Sequence, residues 1–225
     1  MSRQGLLHQI GLGPLWRLRR ASAAPVDEAS EVAVAHGAEG EWSRLAGEVS
    51  ACRGCRLCEA RKQAVLGVGD VNADWLFLGE GPGAEEDQRG EPFVGQAGKL
   101  LDSMLAAIEL RRGEDVYIAN AVKCRPPGNR TPEVDEMDAC RHFLERQIEL
   151  IRPRLIVALG RPAAQTLLGG EVKIAAARGR LHERQGIPVI VTYHPAYLLR
   201  NLPDKAKAWE DLCFMRRMMA ELKRR

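Results

Sequence analysis

No stretch of this 225-residue chain approaches the about 20 consecutive apolar residues that a membrane-spanning helix needs. Its longest apolar runs are strand-sized, as in Leu155 to Leu159 and Val189 to Thr192. The N-terminus lacks an apolar core followed by a small-residue cleavage site, so export is not expected. A large charge excess is also missing. The net charge of +3 does not by itself indicate a nucleic-acid partner. There is no P-loop Lys-Ser/Thr, no dinucleotide fingerprint, no internal repeat and no second C-x-x-C knuckle. Six cysteines in a chain that is not expected to be exported point away from disulfides and toward metal or redox chemistry.

The length suits one core with a tail. We expect a flexible tail over residues 1–40 and a domain over residues 41–225. Residues 21–40 are rich in Ala, Gly and acids and read as a linker. Ahead of them Leu12, Leu15, Trp16 and Leu18 form an apolar peptide, read equally as a docking peptide or as a helix packed on the domain. Arg3, Arg17, Arg19 and Arg20 at one end, and Lys223, Arg224 and Arg225 at the other, read first as solvated termini.

Within the domain, Trp75 to Leu78, Val116 to Val122, Leu155 to Gly160 and Pro188 to Tyr193 read as buried strands. Helical patterns separate them: one inside Phe93 to Leu110, then Glu133 to Ile151, Pro162 to Leu168 and Lys205 to Lys223, with a short one over Trp42 to Ser50. Continuous apolar strands alternating with helices specify a parallel sheet covered on both faces, in an α/β fold of three layers. Ligands in such sheets sit at the carboxyl ends of the strands. Conspicuous residues stand there four times: Gly79 to Gly83 (GEGPG), Asn120 with KCRPP, Gly160, and His194-Pro195.

Cys52 and Cys55 form a C-x-x-C pair, Cys124 follows the second strand and Cys140 lies on the next helix. Two ligands from a turn and two from distant elements can close a four-thiolate site, for zinc or for an iron–sulfur cluster. Cys58 extends the first pair, and Cys213 reads as a structural thiol on the last helix. The acids Glu85, Glu86 and Asp87 read first as a solvated face, Asn120 as a turn residue, His194 as a structural histidine and Phe93 as core. Asn120 can alternatively pair with an imide edge, and His194 can donate to a developing anion.

Together these segments resemble the family 4, iron–sulfur branch of the uracil-DNA glycosylase superfamily. The motifs that carry the resemblance are C-x-x-C-x-L-x-x-x-R (Cys52 to Arg61), GEGPG-x-EED (Gly79 to Asp87), G-x-PFVG-x-AG-x-LL (Gly90 to Leu101), N-x-VKCRPP-x-NR-x-P (Asn120 to Pro132), Cys140 ahead of QIELI-x-P, and HPAYLLRN (His194 to Asn201). The resemblance implies a four-stranded parallel sheet between helices and a structural [4Fe–4S] cluster on Cys52, Cys55, Cys124 and Cys140, with Cys58 left over. It implies a monomer acting on uracil-containing DNA, in a bacterial cytoplasm at the nucleoid. The flipped base would stack on Phe93, be read by Asn120 and lie against the backbone of Glu80 and Gly81, while His194 stabilises the leaving anion. Glu86 or Asp87 would orient water or block a thymine methyl. Leu198 would plug the vacated stack, with Arg200, Arg125 and Arg130 on the DNA. Residues 7–20 have a fainter similarity to the peptide by which the psi subunit of a clamp loader docks, which implies contact with the replisome.

Overall fold

The computed structural model describes residues 28–224. The chain divides into two units, Met1–Gly37 and Ala38–Arg225. Helix α1 spans Glu28–Ala51, and so includes both part of the expected linker and the expected short helix. The candidate docking peptide and its clamp-loader contact lie outside the described residues.

The four expected strands are all present: β2 (Trp75–Gly79), β3 (Val116–Asn120), β4 (Leu155–Leu159) and β6 (Ile187–Thr192), mutually parallel. Two antiparallel edge strands widen the sheet beyond the expected four: β1 (Val68–Gly69) on β3 and β5 (Leu181–Arg184) on β6. The order is β1-β3-β2-β4-β6-β5. The connection after β2 runs to β3 on one side, and the chain after β4 runs to β5 and β6 on the other. A crevice therefore opens at the carboxyl ends of β2 and β4.

Alternation along β2 assigns the layers. Trp75 and Phe77 face one side, with α4 (Gln96–Ala107), α8 (Pro195–Arg200) and α9 (Asp204–Leu222) contributing Leu101, Leu105, Leu198, Leu212 and Met215. Leu76 and Leu78 face the other side, against Leu144 and Ile148 of α5 (Val134–Ile151) and Ala163 and Leu167 of α6 (Arg161–Leu168). A third, smaller core joins Leu45 and Val49 of α1 to Leu57, Met137 and Phe143, with Cys124 and Cys140 among them. Leu57 begins the one-turn helix α2 (Leu57–Ala60). The acids read as a solvated face form a helix of their own, α3 (Ala84–Arg89), and α7 (Ile174–Ala177) follows α6.

Candidate active site and thiol cavity

The strand ends surround an open cleft of about 870 Å³. Its wall includes Glu80, Gly81, Phe93, Asn120, Gly160 and His194, so the structure brings together every strand-end feature singled out from the sequence.

Asn120 ends β3 directly beside Gly79 of β2. It is 2% exposed, and its Oδ1 accepts no hydrogen bond from any described residue. A buried amide oxygen without a partner costs about 1–3 kcal/mol, so this acceptor is poised for a ligand N–H. Gly79 is required here: a Cβ at that position would lie 2.4 Å from Asn120 Oδ1 and 2.5 Å from Phe93 Cζ. Below Asn120, fully buried Lys123 donates from Nζ to the Asn120 carbonyl at 2.7 Å and to Gln147 Oε1 at 2.5 Å. Burial lowers the Lys123 pKa to about 8, against an opposing pull from Cys140.

Phe93 is held in an uncommon backbone conformation, φ 55°. Arg112 fastens it, donating to the carbonyls of Pro92 and Phe93, each at 2.8 Å, while Asp102 holds the guanidinium from the other side at 2.9 Å. The Phe93 ring stacks near His194, with centroids 5.5 Å apart and planes at 29°. Arg112 carries no signal in a single sequence, whereas Gly98, whose closeness to Phe93 is equally essential, stands in the Gly90 to Leu101 motif without its role being readable there.

His194 caps α8: its Nδ1 accepts from the Ala196 N–H at 3.1 Å. Nδ1 is therefore unprotonated, and the ring proton sits on Nε2. Removal from bulk water, reinforced by Arg200, lowers the His194 pKa from 6.5 to about 4, against a weaker opposing pull from Glu86. The ring is thus a neutral donor. Gly160, at φ +89°, lets it approach, since a Cβ there would meet His194 Cβ at 2.9 Å.

The two acids proposed for water separate sharply. Glu86 lines the cleft, but its carboxylate already accepts from the N–H groups of Gly83 (3.1 Å), Val94 (2.9 Å) and Gly95 (3.1 Å). It ties α3 to the loop carrying Phe93. Asp87 does not reach the cleft, contrary to the expectation. It is 2% exposed and accepts from the Lys62 N–H at 2.9 Å, anchoring the segment after the first cysteines. Glu80 lines the cleft, and its carboxylate lies near Thr131 and Arg161 of the same wall. Burial raises its pKa, against the opposing effects of Thr131 and Arg161.

Leu198 is also corrected. It is 1% exposed and packs inside the core, whereas adjacent Leu199 is 41% exposed. On a helix, neighbouring side chains point about 100° apart, so one leucine of the pair must turn in and the other out. Of the basic residues, Arg200 is exposed and lines the cleft. Arg130 also lines it, but its guanidinium is paired with Glu136 at 2.8 and 2.6 Å. Arg125 bonds Asn129 Oδ1 at 2.7 Å and is absent from the cleft wall. Exposed Arg161 and Lys173 line the cleft and were missed. Arg161 stands directly after Gly160, where the strand-end argument extended by one residue would have found it.

The cysteines lie apart from this cleft, around a second cavity. Cys124 and Cys140 are buried and Cys52 and Cys55 half-buried. Three sulfurs accept N–H donors: Cys124 from Arg61 at 2.8 Å, Cys140 from the Lys123 N–H at 3.3 Å and Cys52 from the Gly54 N–H at 3.4 Å. Arg61 also donates to the Ser50 and Cys52 carbonyls, so it ties the Cys52 segment to the segment that follows β3. Burial pushes the thiols of Cys55 and Cys140 up, and that of Cys124 up to about 11. Among the described residues no three His, Cys, Asp or Glu side chains converge closely enough to hold a single metal ion.

Residues 66–213 match the family described as the Uracil DNA glycosylase superfamily. The chain belongs to that superfamily. It is 50% identical over 161 residues to a type-4 uracil-DNA glycosylase of Thermotoga maritima, covering 71% of this chain and 83% of the relative. It is 49% identical over 160 residues to a type-4 uracil-DNA glycosylase of Archaeoglobus fulgidus, covering 68% and 80%. A type-5 uracil-DNA glycosylase of Pyrobaculum aerophilum is 34% identical over 149 residues, covering 59% and 66%. Within the superfamily this chain therefore stands with the type-4 members. No described helix is long and apolar enough to cross a membrane.

Proposed function

We infer that this protein excises uracil from DNA by hydrolysing the N-glycosidic bond, leaving an abasic site. One observation carries the reading: the orphaned Asn120 Oδ1, buried beside the Phe93 ring and the His194 imidazole. Uracil offers an N3–H donor next to the O4 acceptor, which an asparagine amide matches with its oxygen and its NH₂. Cytosine presents the reverse pattern and would leave Asn120 Oδ1 facing an acceptor. Such a mismatch at buried polar groups is what discriminates strongly between similar ligands.

The base leaves the stack, at a cost of a few kcal/mol, and slides over Phe93. As the glycosidic bond breaks, electrons flow into the ring and charge grows on O2. Neutral His194 meets it with Nε2–H while Nδ1 stays fixed by Ala196. Of the three cleft carboxylates, Glu86 is committed to backbone donors and Glu171 is exposed, which leaves half-buried Glu80. Its raised pKa suits it to orient and partly deprotonate the attacking water. Exposed Arg161, Lys173 and Arg200 supply phosphate contacts, and Leu199 fills the space that the base vacates.

The thiol cavity fits a [4Fe–4S] cluster. Four cysteines border a common space instead of one point, and N–H donors reach three of the sulfurs, as bound thiolates require. Cationic iron would draw off the protons that burial otherwise retains on Cys55, Cys124 and Cys140. Held so, Cys52, Cys55, Cys124 and Cys140 would join α1, the Asn120 segment and α5. The cluster's contribution is architectural.

The test is release of uracil from a labelled oligonucleotide, followed by alkaline cleavage of the abasic site. Protein that carries iron and releases nothing would sink the reading. The leucine pair gives a sharper check. Leu199→Ala should keep the thermal stability of the parent and lose activity on duplex DNA more than on single strands. Leu198→Ala should lower stability by about 2–5 kcal/mol, because it opens a cavity in the core. Comparison of melting curves with rates on both substrates reads the two effects separately.

A further inference from the structure

Five thiols border the second cavity. Cys52, Cys55, Cys124 and Cys140 are joined by Cys58, with Arg61 beside them. Cys58 sits on α2, one turn after Cys55, and its N–H donates to the Cys55 carbonyl at 3.3 Å. That turn sets both side chains toward the same space. The cavity has a closed and an open side: Cys124 and Cys140 are buried, whereas Cys52, Cys55 and Cys58 are all half-buried.

Resting on the cluster reading above, we propose that Cys58 is a reserve iron ligand at the corner of the cluster held by Cys55. The exchange conserves charge. Cys58 Sγ gives up its proton as it bonds to iron, the Cys55 Sγ–iron bond breaks, and the proton passes to Cys55 Sγ. No electrons are gained or lost, and the number of coordinating thiolates stays at about four. The corner in question faces solvent, where water and small oxidants reach a cluster first. A second thiol one turn away keeps that iron bound when the first bond fails.

The experiment compares the full-length parent, Cys58→Ser, Cys55→Ser and Cys55→Ser/Cys58→Ser, all purified in parallel. The readouts are iron and sulfide per chain, visible absorbance, and alkylation of each cysteine read by mass spectrometry. The parent and Cys58→Ser should each hold about four irons per chain. Cys55→Ser should retain at least half of that iron, and the double variant should fall at least fivefold below Cys55→Ser. Alkylation should label Cys58 in the parent and spare it in Cys55→Ser. An iron-free Cys55→Ser beside an iron-loaded parent overturns the inference alone. So does a Cys55→Ser protein that holds iron while Cys58 is freely alkylated. An iron-free parent overturns the cluster reading and this inference with it.

Discussion

His194→Ala should slow uracil release under single-turnover conditions by about 10²–10³-fold, the usual loss when one donor to a developing anion is removed. Iron content and the melting transition should stay near those of the parent, because His194 packs at the cleft wall and its side chain's hydrogen bond among the described residues is the local cap to Ala196. The pH profile tests the protonation state on which the argument rests. His194 titrates near 4 and is neutral above that. The parent rate should therefore show no inflection from His194 near 6.5; the loss that His194 causes should come only as the pH drops toward 4, after protonation of Glu80, whose pKa burial raises, has begun to slow the reaction. Protonated Nδ1 cannot accept from the Ala196 N–H, so acid turns the ring out of position even though it adds a donor. The same depression acts on stability. Unfolded chains take up this proton near 6.5 and folded ones only near 4, so the native state binds fewer protons in between and loses stability as the pH falls through that window. A full-strength His194→Ala enzyme, or a parent inflection near 6.5 that vanishes in His194→Ala, would remove the histidine from its assigned role.

The cleft was largely legible in the sequence because parallel strands announce themselves as short apolar runs and their carboxyl ends converge by topology. Gly79, Asn120, Gly160 and His194 fall at four such ends, and the fold brings them together. The edges were not legible. β1 is two residues long and contains a glycine, while β5 (LHER) is half exposed and reads like a loop. Neither has the burial that creates an apolar run. Adjacent residues were also hard to tell apart, as with Asp87 beside Glu86 and Leu198 beside Leu199. Neighbours on a short helix differ only in direction, and a helix of six residues is too brief to show an apolar stripe. The thiol cavity was legible as ligand spacing. Its donors, Arg61 and the Lys123 backbone, depend on long-range approach and leave no local pattern.

The same kind of long-range approach makes Gly98→Ala the more severe of the two substitutions for the architecture of the cleft. Gly98 lies in the first turn of α4, and a Cβ there would come within 1.7 Å of the Phe93 carbonyl oxygen and 2.2 Å of its carbon. These are backbone atoms, so no side chain can swing aside. Nor can the Phe93 loop retreat freely, since Arg112 holds the carbonyls of Pro92 and Phe93 and Glu86 holds the N–H groups of Val94 and Gly95. One added methyl must therefore break those bonds or push α4 away from Leu101 and Leu105, at about 1–3 kcal/mol of overpacking strain. Either route moves the Phe93 ring from its place beside His194. A lost stacking platform is worth about 1–3 kcal/mol per base, so kcat/KM for uracil release should fall by about 5- to 150-fold. The second cavity draws on α1, Cys124 and α5, so iron content should be unchanged, which separates loop displacement from general unfolding. Phe93→Leu supplies the comparison. If the platform is what Gly98 protects, Phe93→Leu should reproduce most of the rate loss with a smaller loss of stability, about 1 kcal/mol for reshaping a buried core side chain, and Phe93→Leu combined with Gly98→Ala should add little further rate loss. A Gly98→Ala protein that melts and reacts like the parent would show that the Phe93 loop has room to move.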